Sequence, residues 1–431
     1  MNHVTEIYGP PGTGKTRTLL DLAKAVRGRS LYLSYTRAAA AEAVSRLPAD
    51  SPVRPSTIHS LAFNAINMNR ASVVDRKKLI ELSKQTGIPV KGAEPGMDED
   101  QEGDEYLSVI QYAHNIGGNT RECSYERAYE HFGAPGTKAR FTMFLESYAD
   151  WKKAYGYMDF DDILVAYIDQ VKHINIDSVF IDEAQDCTPL QWVAIHTAVL
   201  GAKHVYLAGD DDQAIYQWSG ADPMGMRRFA FEHDDMRVLG QSHRLPRTVW
   251  QLAVSMTASM KNRVHKLFRP TNEAGLVERW ANAEGVVFEL DEMFPNREGA
   301  LILTRDRFRL KELQRILNQR LFPYDVYGGE SPWVNKLAGD IRDKKATWRD
   351  APPIWQEFYA NADLSRPIIY HLSTIHSAKG REHKNVVLDL TMTPRVELGC
   401  QLDRDAEVRV QYVGVTRAKD NLLLCGENPI L

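Results

Sequence analysis

The sequence predicts an α/β protein with two cores, the first of them interrupted by a helical insertion. Short apolar segments alternate with helical ones through residues 1–63, and apolar, strand-like segments return from Ser178 onwards. Between about Asn64 and Ala154 the spacing of apolar residues is helical, with polar breaks. A chain of 431 residues is long enough for two or three domains with substantial cores. Two α/β cores fit this layout.

The individual elements follow from the same periodicity. In the first core we expect strands at Val4–Tyr8, Ser30–Tyr35, Ser178–Ile181 and His204–Ala208, and helices at Thr16–Val26 and Ala38–Leu47. In the second we expect strands at Ala300–Thr304, Val386–Leu388 and Leu422–Leu424, with a helix ending near Leu317. Within the insertion, Asp98 to Glu105 hold six carboxylates in eight positions, which indicates a solvated, mobile loop.

Composition sets broad limits on the class of protein. Apolar content of 43% and charged content of 26% are ordinary for a globular protein, and no apolar run is long enough to predict a membrane span. The sequence does not open on a basic-then-apolar leader, so we expect a cytoplasmic protein. A formal net charge of −4 argues against a generally basic surface but leaves room for a local basic groove. The four cysteines have no metal-site spacing, and we expect reduced, structural thiols at Cys123, Cys187, Cys400 and Cys425.

A phosphate-binding loop lies near the start of the chain. Residues 9–16 read Gly-Pro-Pro-Gly-Thr-Gly-Lys-Thr between a predicted strand and a predicted helix. Small residues let the backbone wrap a phosphate, so that N–H groups and the helix N-terminus point at it. Lys15 would reach the β- and γ-phosphates, and the Thr16 hydroxyl would hold Mg²⁺. The alternative is a glycine-rich turn without a ligand. The candidate nucleotide-binding residues are Gly9, Pro10, Pro11, Gly12, Thr13, Gly14, Lys15, Thr16 and Arg17.

Acidic and amide side chains follow two later strands. Asp182 and Glu183 come directly after a buried strand, at the sheet edge where nucleotide sites form. We expect Asp182 to be a Mg²⁺ partner and Glu183 to orient or deprotonate the attacking water. An acidic surface turn is the alternative. After the next strand, Gln213 is placed to sense the γ-phosphate.

Two aromatic residues close behind that amide suggest a surface for nucleic-acid bases. Tyr216 and Trp218 are two residues apart, so in an extended segment both rings would face the same way. Stacking on bases is worth about 1–3 kcal/mol for each ring. Core packing is the alternative for such a pair.

Eight blocks of sequence, in order, resemble a superfamily 1 DNA helicase of the UvrD/Rep type. They extend through both halves of the chain and cover roughly 400 residues, so the resemblance is specific. The blocks are residues 9–16, 34–39, 57–60, 159–162, 182–186, 209–213, 374–382 and 412–418.

The resemblance implies two RecA-like P-loop domains in tandem, which clamp ATP with Mg²⁺ between them. It implies a first core at 1–63 and 155–242, with a helical insertion at 64–154. The second core would be 243–330 and 368–431, with a reduced insertion at 331–367. Arg417 and Arg244 match the arginines that reach the phosphates, and Gly380 and Glu382 match a nucleotide-contacting block. His243 stands where the family has a tyrosine that stacks on the base.

The resemblance also implies a DNA-facing set and an activity. The matching residues are Tyr35, Thr36, His59, Tyr216, Trp218 and His376, although His59 and His376 fit ordinary half-buried histidines equally well. The implied activity is that of an ATP-dependent DNA helicase moving 3′ to 5′ along single strands. Its partners would be single-stranded DNA and single-strand/duplex junctions, without a membrane, and we expect a monomer.

The sequence departs from the family at three places. The family's adenine-reading glutamine block is not found in the eight residues ahead of Gly9, so the choice among triphosphates stays open. Ser219 stands where the family has an arginine, and fewer than 40 residues between Gly329 and Pro367 replace a large inserted subdomain. We therefore expect a compact motor without the autoinhibitory element. A translocase that separates duplex poorly, and a binding module with relic motifs, are the alternatives.

Overall fold

The computed structural model describes residues 3–92, 101–117, 124–229, 235–293, 298–319, 324–327, 347, 369–428 and 430. The chain divides into two compact units. Unit 1 comprises Met1–Gly240 and Arg263–Phe268, and unit 2 comprises Gln241–Asn262 and Arg269–Leu431. Each unit contains one parallel sheet with helices, so the predicted α/β class is confirmed. The predicted reduced insertion at 331–367 lies outside the described residues, apart from Thr347.

Unit 1 is built on a six-stranded parallel sheet with the order β3-β2-β4-β5-β1-β6. The two strands β2 and β4 are buried at every position, as expected for a parallel sheet covered by helices on both faces. The six strands are β1 (His3–Tyr8), β2 (Ser30–Ser34), β3 (Val53–Thr57), β4 (Ser178–Asp182), β5 (His204–Gly209) and β6 (Asp235–Val238).

The helices of unit 1 follow the strands and also form the insertion. Residues 64–154, expected to be helical, contain α4 to α7, which share an aromatic core that includes Tyr106, Phe141, Phe144 and Trp151. The helices are α1 (Lys15–Ala25), α2 (Arg37–Arg46), α3 (Ile58–Ala65), α4 (Arg76–Thr86), α5 (Glu102–Gly117), α6 (Tyr125–His131), α7 (Lys138–Tyr155), α8 (Phe160–Gln170), α9 (Pro189–Val199) and α10 (Gly225–Phe229).

The predicted acidic loop is wrong over its second half, where α5 begins at Glu102. Asp104 is only 4% exposed, because its carboxylate accepts hydrogen bonds from the backbone N–H groups of Lys91, Gly92 and Gln101 at 2.8–3.1 Å. Carboxylates also favour the first turn of a helix through its macrodipole. Local charge density therefore marked a helix start rather than a solvated loop.

Unit 2 contains a second six-stranded parallel sheet with the order β7-β12-β11-β8-β10-β9. Its strands are β7 (Leu276–Trp280), β8 (Ala300–Thr304), β9 (Tyr324–Val326), β10 (Tyr370–Thr374), β11 (His383–Asp389) and β12 (Ala418–Cys425). Its described helices are α11 (Arg247–Ala258), α12 (Ala283–Met293), α13 (Arg307–Gln319), α14 (Pro394–Leu402) and α15 (Arg404–Val415).

One short segment lies in a different unit from the one the sequence predicted. Arg263–Phe268 falls inside the range 243–330 that we assigned to the second core, yet it packs as part of unit 1. The reason is electrostatic: the side chain of Lys266 is 1% exposed and lies among the carboxylates of Asp210, Asp211 and Asp212. A charge this deeply buried is stable only beside opposite charges, and those of Asp210, Asp211 and Asp212 belong to unit 1.

None of the described helices combines the length and apolar character that crossing a membrane requires. Cys187 and Cys425 are buried free thiols and Cys400 is a partly exposed one, whereas Cys123 lies outside the described residues.

Candidate functional site

Three adjacent strands of unit 1 end at one edge of its sheet and carry the motifs there. The strands are adjacent in the order β4-β5-β1. Strand β4 ends at Asp182, directly before Glu183, β5 is followed by Asp210–Gln213, and β1 by the glycine-rich loop. The N–H of Gly9 donates to the carbonyl of Gly209 at 3.0 Å, which fixes the start of the loop against the end of β5. The carboxyl edge of a parallel sheet is where α/β proteins bind ligands.

The loop has the backbone geometry that a phosphate cradle requires. Gly12 and Gly14 adopt φ values of 72° and 84°, a region that other residues seldom adopt. A Cβ on Gly9 would lie 2.1 Å from Cγ of Lys15, so only glycine fits beside that side chain. The Lys15 ammonium donates to the carbonyl of Gly9 at 2.7 Å. Helix α1 begins directly after Gly14, which has no side chain to cap its N–H groups, and such a helix end attracts anions.

The other predicted nucleotide-binding residues of the loop differ in exposure. Thr13 is buried and bonds through its hydroxyl to the carbonyl of Pro10 at 2.7 Å, so its side chain shapes the loop. Pro11 is buried as well. Arg17 projects from α1 with its side chain 82% exposed and lies 3.8 Å from Asp21.

The two predicted Mg²⁺ partners lie side by side. The hydroxyl of Thr16 donates to Oδ2 of Asp182 at 2.8 Å, and the hydroxyl of Tyr32 donates to the same oxygen at 2.8 Å. The carboxylate is 2% exposed, and burial together with the neighbouring Glu183 charge raises the pKa of Asp182 to about 6. A buried carboxylate beside a threonine hydroxyl is the oxygen-rich arrangement that Mg²⁺ favours at a phosphate site.

Glu183 and Gln213 are connected through two residues that the sequence reading did not single out. Nε2 of Gln185 donates to Oε2 of Glu183 at 2.6 Å, and Oε1 of Gln185 accepts from the N–H of Asp210 at 3.0 Å. Asp210 in turn accepts from Nε2 of Gln213 at 2.6 Å. Both linking residues lie inside the quoted motif blocks, so their position in those blocks was the available signal.

Glu183 also has an unusual backbone conformation. Its φ of 52° and ψ of 42° are left-handed, which costs a residue with a side chain about 1–2 kcal/mol. Such conformations cluster at functional sites, where they aim a side chain.

The aromatic residues predicted to face DNA form one group in unit 1. The rings of Tyr35 and Tyr216 stack with centroids 5.4 Å apart and an interplanar angle of 23°. Trp218 meets Tyr216 edge-on at 6.4 Å and is 41% exposed. The expected extended segment is wrong, since Gln217–Ser219 is a 3₁₀ turn, but the two rings are neighbours all the same.

Thr36 and His59 occupy helix starts. Thr36 caps α2 by accepting from the N–H of Ala39 at 3.1 Å, and it is exposed. His59 is half-buried at the start of α3, where it meets the exposed ring of Phe160 edge-on at 5.5 Å. Burial lowers the pKa of His59 to about 4, so its imidazole is neutral at physiological pH. Phe160 lies in the motif block 159–162 but was not among the predicted site residues.

In unit 2, two predicted nucleotide-binding residues form an ion pair. Nε of Arg244 lies 2.5 Å from Oε2 of Glu382, and Lys419 lies 2.7 Å from its other oxygen. Burial favours a higher pKa for Glu382, but the two cations outweigh this effect and lower its pKa. His243, which directly precedes Arg244, is exposed. Gly380 has a φ of 83°, a conformation that favours glycine.

Arg417 is buried and bonded within unit 2. Its Nε donates to the carbonyl of Val413 at 2.8 Å, and its two terminal nitrogens donate to the carbonyl of Arg381 and the hydroxyl of Thr416, each at 3.2 Å. Its predicted contact with phosphate stays a prediction.

His376 lies in a tetrapeptide, Thr-Ile-His-Ser, that occurs once in each unit. In unit 1 it begins at the last residue of β3, where the Thr57 hydroxyl donates to the hydroxyl of Ser60 at 2.8 Å. In unit 2 it begins at the last residue of β10, where the Thr374 hydroxyl donates to the hydroxyl of Ser377 at 3.1 Å. The backbone N–H of each serine also donates a hydrogen bond to the hydroxyl oxygen of its threonine. The two histidines therefore occupy equivalent places in their units.

Comparison with known proteins gives a consistent result. Residues 1–234 match the model of the UvrD/REP helicase N-terminal domain. YjcD of Bacillus subtilis (strain 168) is 24% identical over 387 residues, which are 78% of this chain and 49% of that protein. The ATP-dependent DNA helicase PcrA of Staphylococcus aureus (strain Mu50) is 23% identical over 386 residues, which are 78% of this chain and 50% of that protein. The chain therefore spans about half the length of these two relatives.

Among solved structures, the crystal structure of Arterivirus nonstructural protein 10 (helicase) is similar with a TM-score of 0.38 and 15% identity. The match covers 98% of this chain and 59% of that one. A likeness of this size carries no weight for the fold, which rests on the two sheets described above.

Proposed function

We propose that this chain, which belongs to the UvrD/REP helicase family, is a motor that hydrolyses ATP to move along single-stranded DNA and separate strands. Its family is of the UvrD/Rep/PcrA type within superfamily 1. The observation that carries the proposal is the hydrogen bond of 2.8 Å between Thr16 and Asp182. It joins the phosphate loop to the acidic motif at one sheet edge, as hydrolysis of a nucleoside triphosphate requires.

The residues at this edge have complementary roles in the proposed reaction. The glycine-rich loop and Lys15 bind the β- and γ-phosphates, and Thr16 with Asp182 would hold Mg²⁺, which neutralises charge on the phosphate oxygens when bound. Glu183, aimed by its left-handed backbone, orients the attacking water and accepts its proton. Gln213 reports whether the γ-phosphate is present.

We extend the proposal to the unit 2 residues that the resemblance assigns to the nucleotide. Arg244 and Arg417 would stabilise charge that develops on the γ-phosphoryl group, because the guanidinium charge is permanent and planar. Gly380, Glu382 and His243 would contact the nucleotide. For Arg417 this role requires exchanging its present hydrogen bonds to the carbonyls of Val413 and Arg381 for bonds to phosphate.

The DNA strand would be held by stacking and backbone contacts, which ignore sequence. Support comes from the ring group of Tyr35, Tyr216 and Trp218, whose outermost member is 41% exposed. Thr36, His59 and His376 would add contacts beside it. Translocation from 3′ to 5′, action as a monomer at single-strand/duplex junctions and a cytoplasmic location complete the proposal.

A second function is favoured by one observation. At the position where the family has an arginine, the hydroxyl of Ser219 donates to the carbonyl of Tyr216 at 2.8 Å, so the turn is locked without a positive charge. A motor that grips DNA less firmly there would translocate and displace bound proteins but separate duplex poorly.

Unwinding of duplexes with 3′ or 5′ single-stranded tails tests these proposals. We expect DNA-stimulated ATPase activity and separation of the 3′-tailed duplex by protein that elutes as a monomer. ATPase activity without separation would favour the second function. The control is Lys15→Ala, which removes the phosphate-binding ammonium, and unchanged DNA-stimulated hydrolysis by that variant would overturn both.

A further inference from the structure

Unit 1 contains a buried cluster of charges that joins the aspartates of one motif block, residues 209–213, to two cations outside all the motifs. Nζ of Lys266 contacts Asp211 and lies 3.1 Å from Oδ1 of Asp210 and 2.9 Å from Oδ2 of Asp212. Arg263 adds a second cation, with two hydrogen bonds to the carboxylate of Asp212 at 2.8 and 2.6 Å. Three carboxylates and two cations thus share a largely buried site.

The cluster keeps its charges because they compensate one another. Burial opposes the charge on Lys266, but the three surrounding carboxylates outweigh it and raise the pKa of the ammonium. The described residues contain no group of three or more His, Cys, Asp or Glu side chains arranged to hold a metal ion. At these three aspartates the Lys266 ammonium supplies positive charge. Removing it would leave uncompensated carboxylates in a buried place, which is strongly unfavourable.

Asp210 connects this cluster to the proposed catalytic residues. Its Oδ1 faces Lys266, while its Oδ2 accepts from Nε2 of Gln213 at 2.6 Å. This hydrogen bond fixes the orientation of the Gln213 amide: its NH₂ group points toward Asp210 and its carbonyl oxygen points away. The N–H of Asp210 also donates to Gln185, whose amide holds Glu183.

Lys266 also lies next to the start of the phosphate loop. Its ammonium stands 5.9 Å from the ring centroid of Tyr8, the last residue of β1 and the one before Gly9. A cation at this distance from an aromatic face is attracted by it. Lys266 therefore lies near the residue that precedes the phosphate loop and pairs with Asp210, the hydrogen-bond partner of Gln213.

We propose that Lys266 is a positioning residue for ATP hydrolysis, which orients the Gln213 amide through Asp210. This rests on the proposed function, because it needs Gln213 to act at the γ-phosphate. Without the ammonium, Asp210 is repelled by its two neighbouring carboxylates and no longer presents a fixed acceptor to Gln213. The phosphate loop itself is left intact, so nucleotide binding persists while the chemical step slows.

The test compares steady-state ATPase kinetics of Lys266→Gln, Gln213→Ala and the double variant, with saturating single-stranded DNA. We expect Lys266→Gln to lower kcat by about 10-fold or more, with the KM for ATP within about two-fold of wild type. In the Gln213→Ala background, we expect Lys266→Gln to lower kcat by no more than about two-fold, because both changes act on the same group.

A variant with rebalanced charge keeps the test sound if Lys266→Gln folds poorly. Asp211→Asn together with Lys266→Gln removes one carboxylate along with the cation, and leaves Asp210 and Gln213 in place. We expect this pair to restore thermal stability without restoring kcat. Lys152→Gln is the matched control, because Lys152 is another buried lysine between two aspartates, Asp159 and Asp162, and its loss should leave basal ATPase activity per folded molecule unchanged.

Three outcomes would overturn the inference. In folded protein, an unchanged kcat means that Lys266 does not position Gln213, and losses that multiply in the double variant mean that it acts elsewhere. Recovery of kcat together with stability in the rebalanced variant means that its role is structural alone. The proposed function fails separately, and is recognised separately, if wild-type protein shows no DNA-stimulated ATPase activity or if Gln213→Ala hydrolyses ATP at the wild-type rate.

Discussion

At the scale of single residues, Thr16 has two partners in the proposed chemistry: the carboxylate of Asp182 and the metal ion that both would hold. Thr16→Ala removes one oxygen ligand and leaves the phosphate loop intact. We expect the Mg²⁺ concentration needed for half-maximal hydrolysis to rise about 10-fold or more, as estimated from lost metal ligands and their supports.

A magnesium titration of ATPase activity measures this effect. Thr18→Ala is the matched control, because it changes a threonine of the same helix, two residues further on. An equal magnesium requirement in Thr16→Ala and wild type would remove Thr16 from the metal site.

Trp218 offers the most exposed ring of its aromatic group. Trp218→Ala should weaken single-stranded DNA binding by about 10-fold, since one stacking ring is worth about 1–3 kcal/mol, and it should do so equally for all base compositions. Fluorescence anisotropy with two unrelated oligonucleotides measures it, while hydrolysis without DNA stays at the wild-type rate.

Phe308→Ala serves as the comparison for Trp218, because Phe308 is also a large exposed aromatic residue, at 58% exposure, but belongs to unit 2 and to no quoted motif. A similar loss of DNA affinity in both variants would mean that the effect is not specific to the stacking group.

His59 makes stability depend on pH. Its pKa is lowered from 6.5 to about 4 by burial, so in this interval the unfolded chain binds a proton that the folded chain does not. Stability from the neutral ring is therefore present above pH 6.5 and is lost as the pH falls toward 4. The loss reaches up to about 2 kcal/mol at pH 5.

Urea unfolding of wild type and His59→Gln at pH 5 and pH 8 measures this contribution. We expect the variant to lose less stability than wild type between the two pH values. Equal losses of stability in wild type and His59→Gln would show that His59 is not responsible for the pH dependence.

At the scale of elements, the repeated Thr-Ile-His-Ser segment shows how a short sequence builds the same turn after two strands. Thr57 caps α3 by accepting from the N–H of Ser60 at 3.1 Å. Thr57→Ala should cost about 1 kcal/mol of stability, the usual value for losing a helix cap, and Thr57→Ser should cost much less. The shift of the urea midpoint measures both, and equal costs would argue against the cap.

Elements defined by local pattern were predictable, whereas those defined by distant partners were not. The phosphate loop and Asp182 could be read from the sequence because small residues, a helix start and a strand end are local signals. The start of α5 was misread because the charge on Asp104 is satisfied by backbone N–H groups of Lys91 and Gly92, which precede it by more than ten residues. No periodicity reveals such a pairing.

The same reasoning applies within the candidate site. Gln213 was identified because it follows a strand. Its partner Asp210, however, is paired with Lys266, which lies more than 50 residues further along the chain. Tyr216 and Trp218 were expected to face the same way in an extended segment, whereas a 3₁₀ turn brings the two rings together edge-on.

At the scale of the whole molecule, the chain makes two parallel-sheet units and crosses between them three times, after Gly240, Asn262 and Phe268. The return segment of six residues contributes both cations of the buried cluster. The match to the family model ends at residue 234, so it stops before this segment. Unit 1 as the structure has it is therefore larger than the matched region.

That return segment has a consequence for the order in which the protein is made. A ribosome completes Asp210, Asp211 and Asp212 more than 50 residues before it adds Lys266, and the start of unit 2 is synthesised in between. Until then the nascent sheet edge holds carboxylates without their cation, and these resist burial. The charges at this edge of unit 1 are therefore compensated only after α11 of unit 2 has been synthesised.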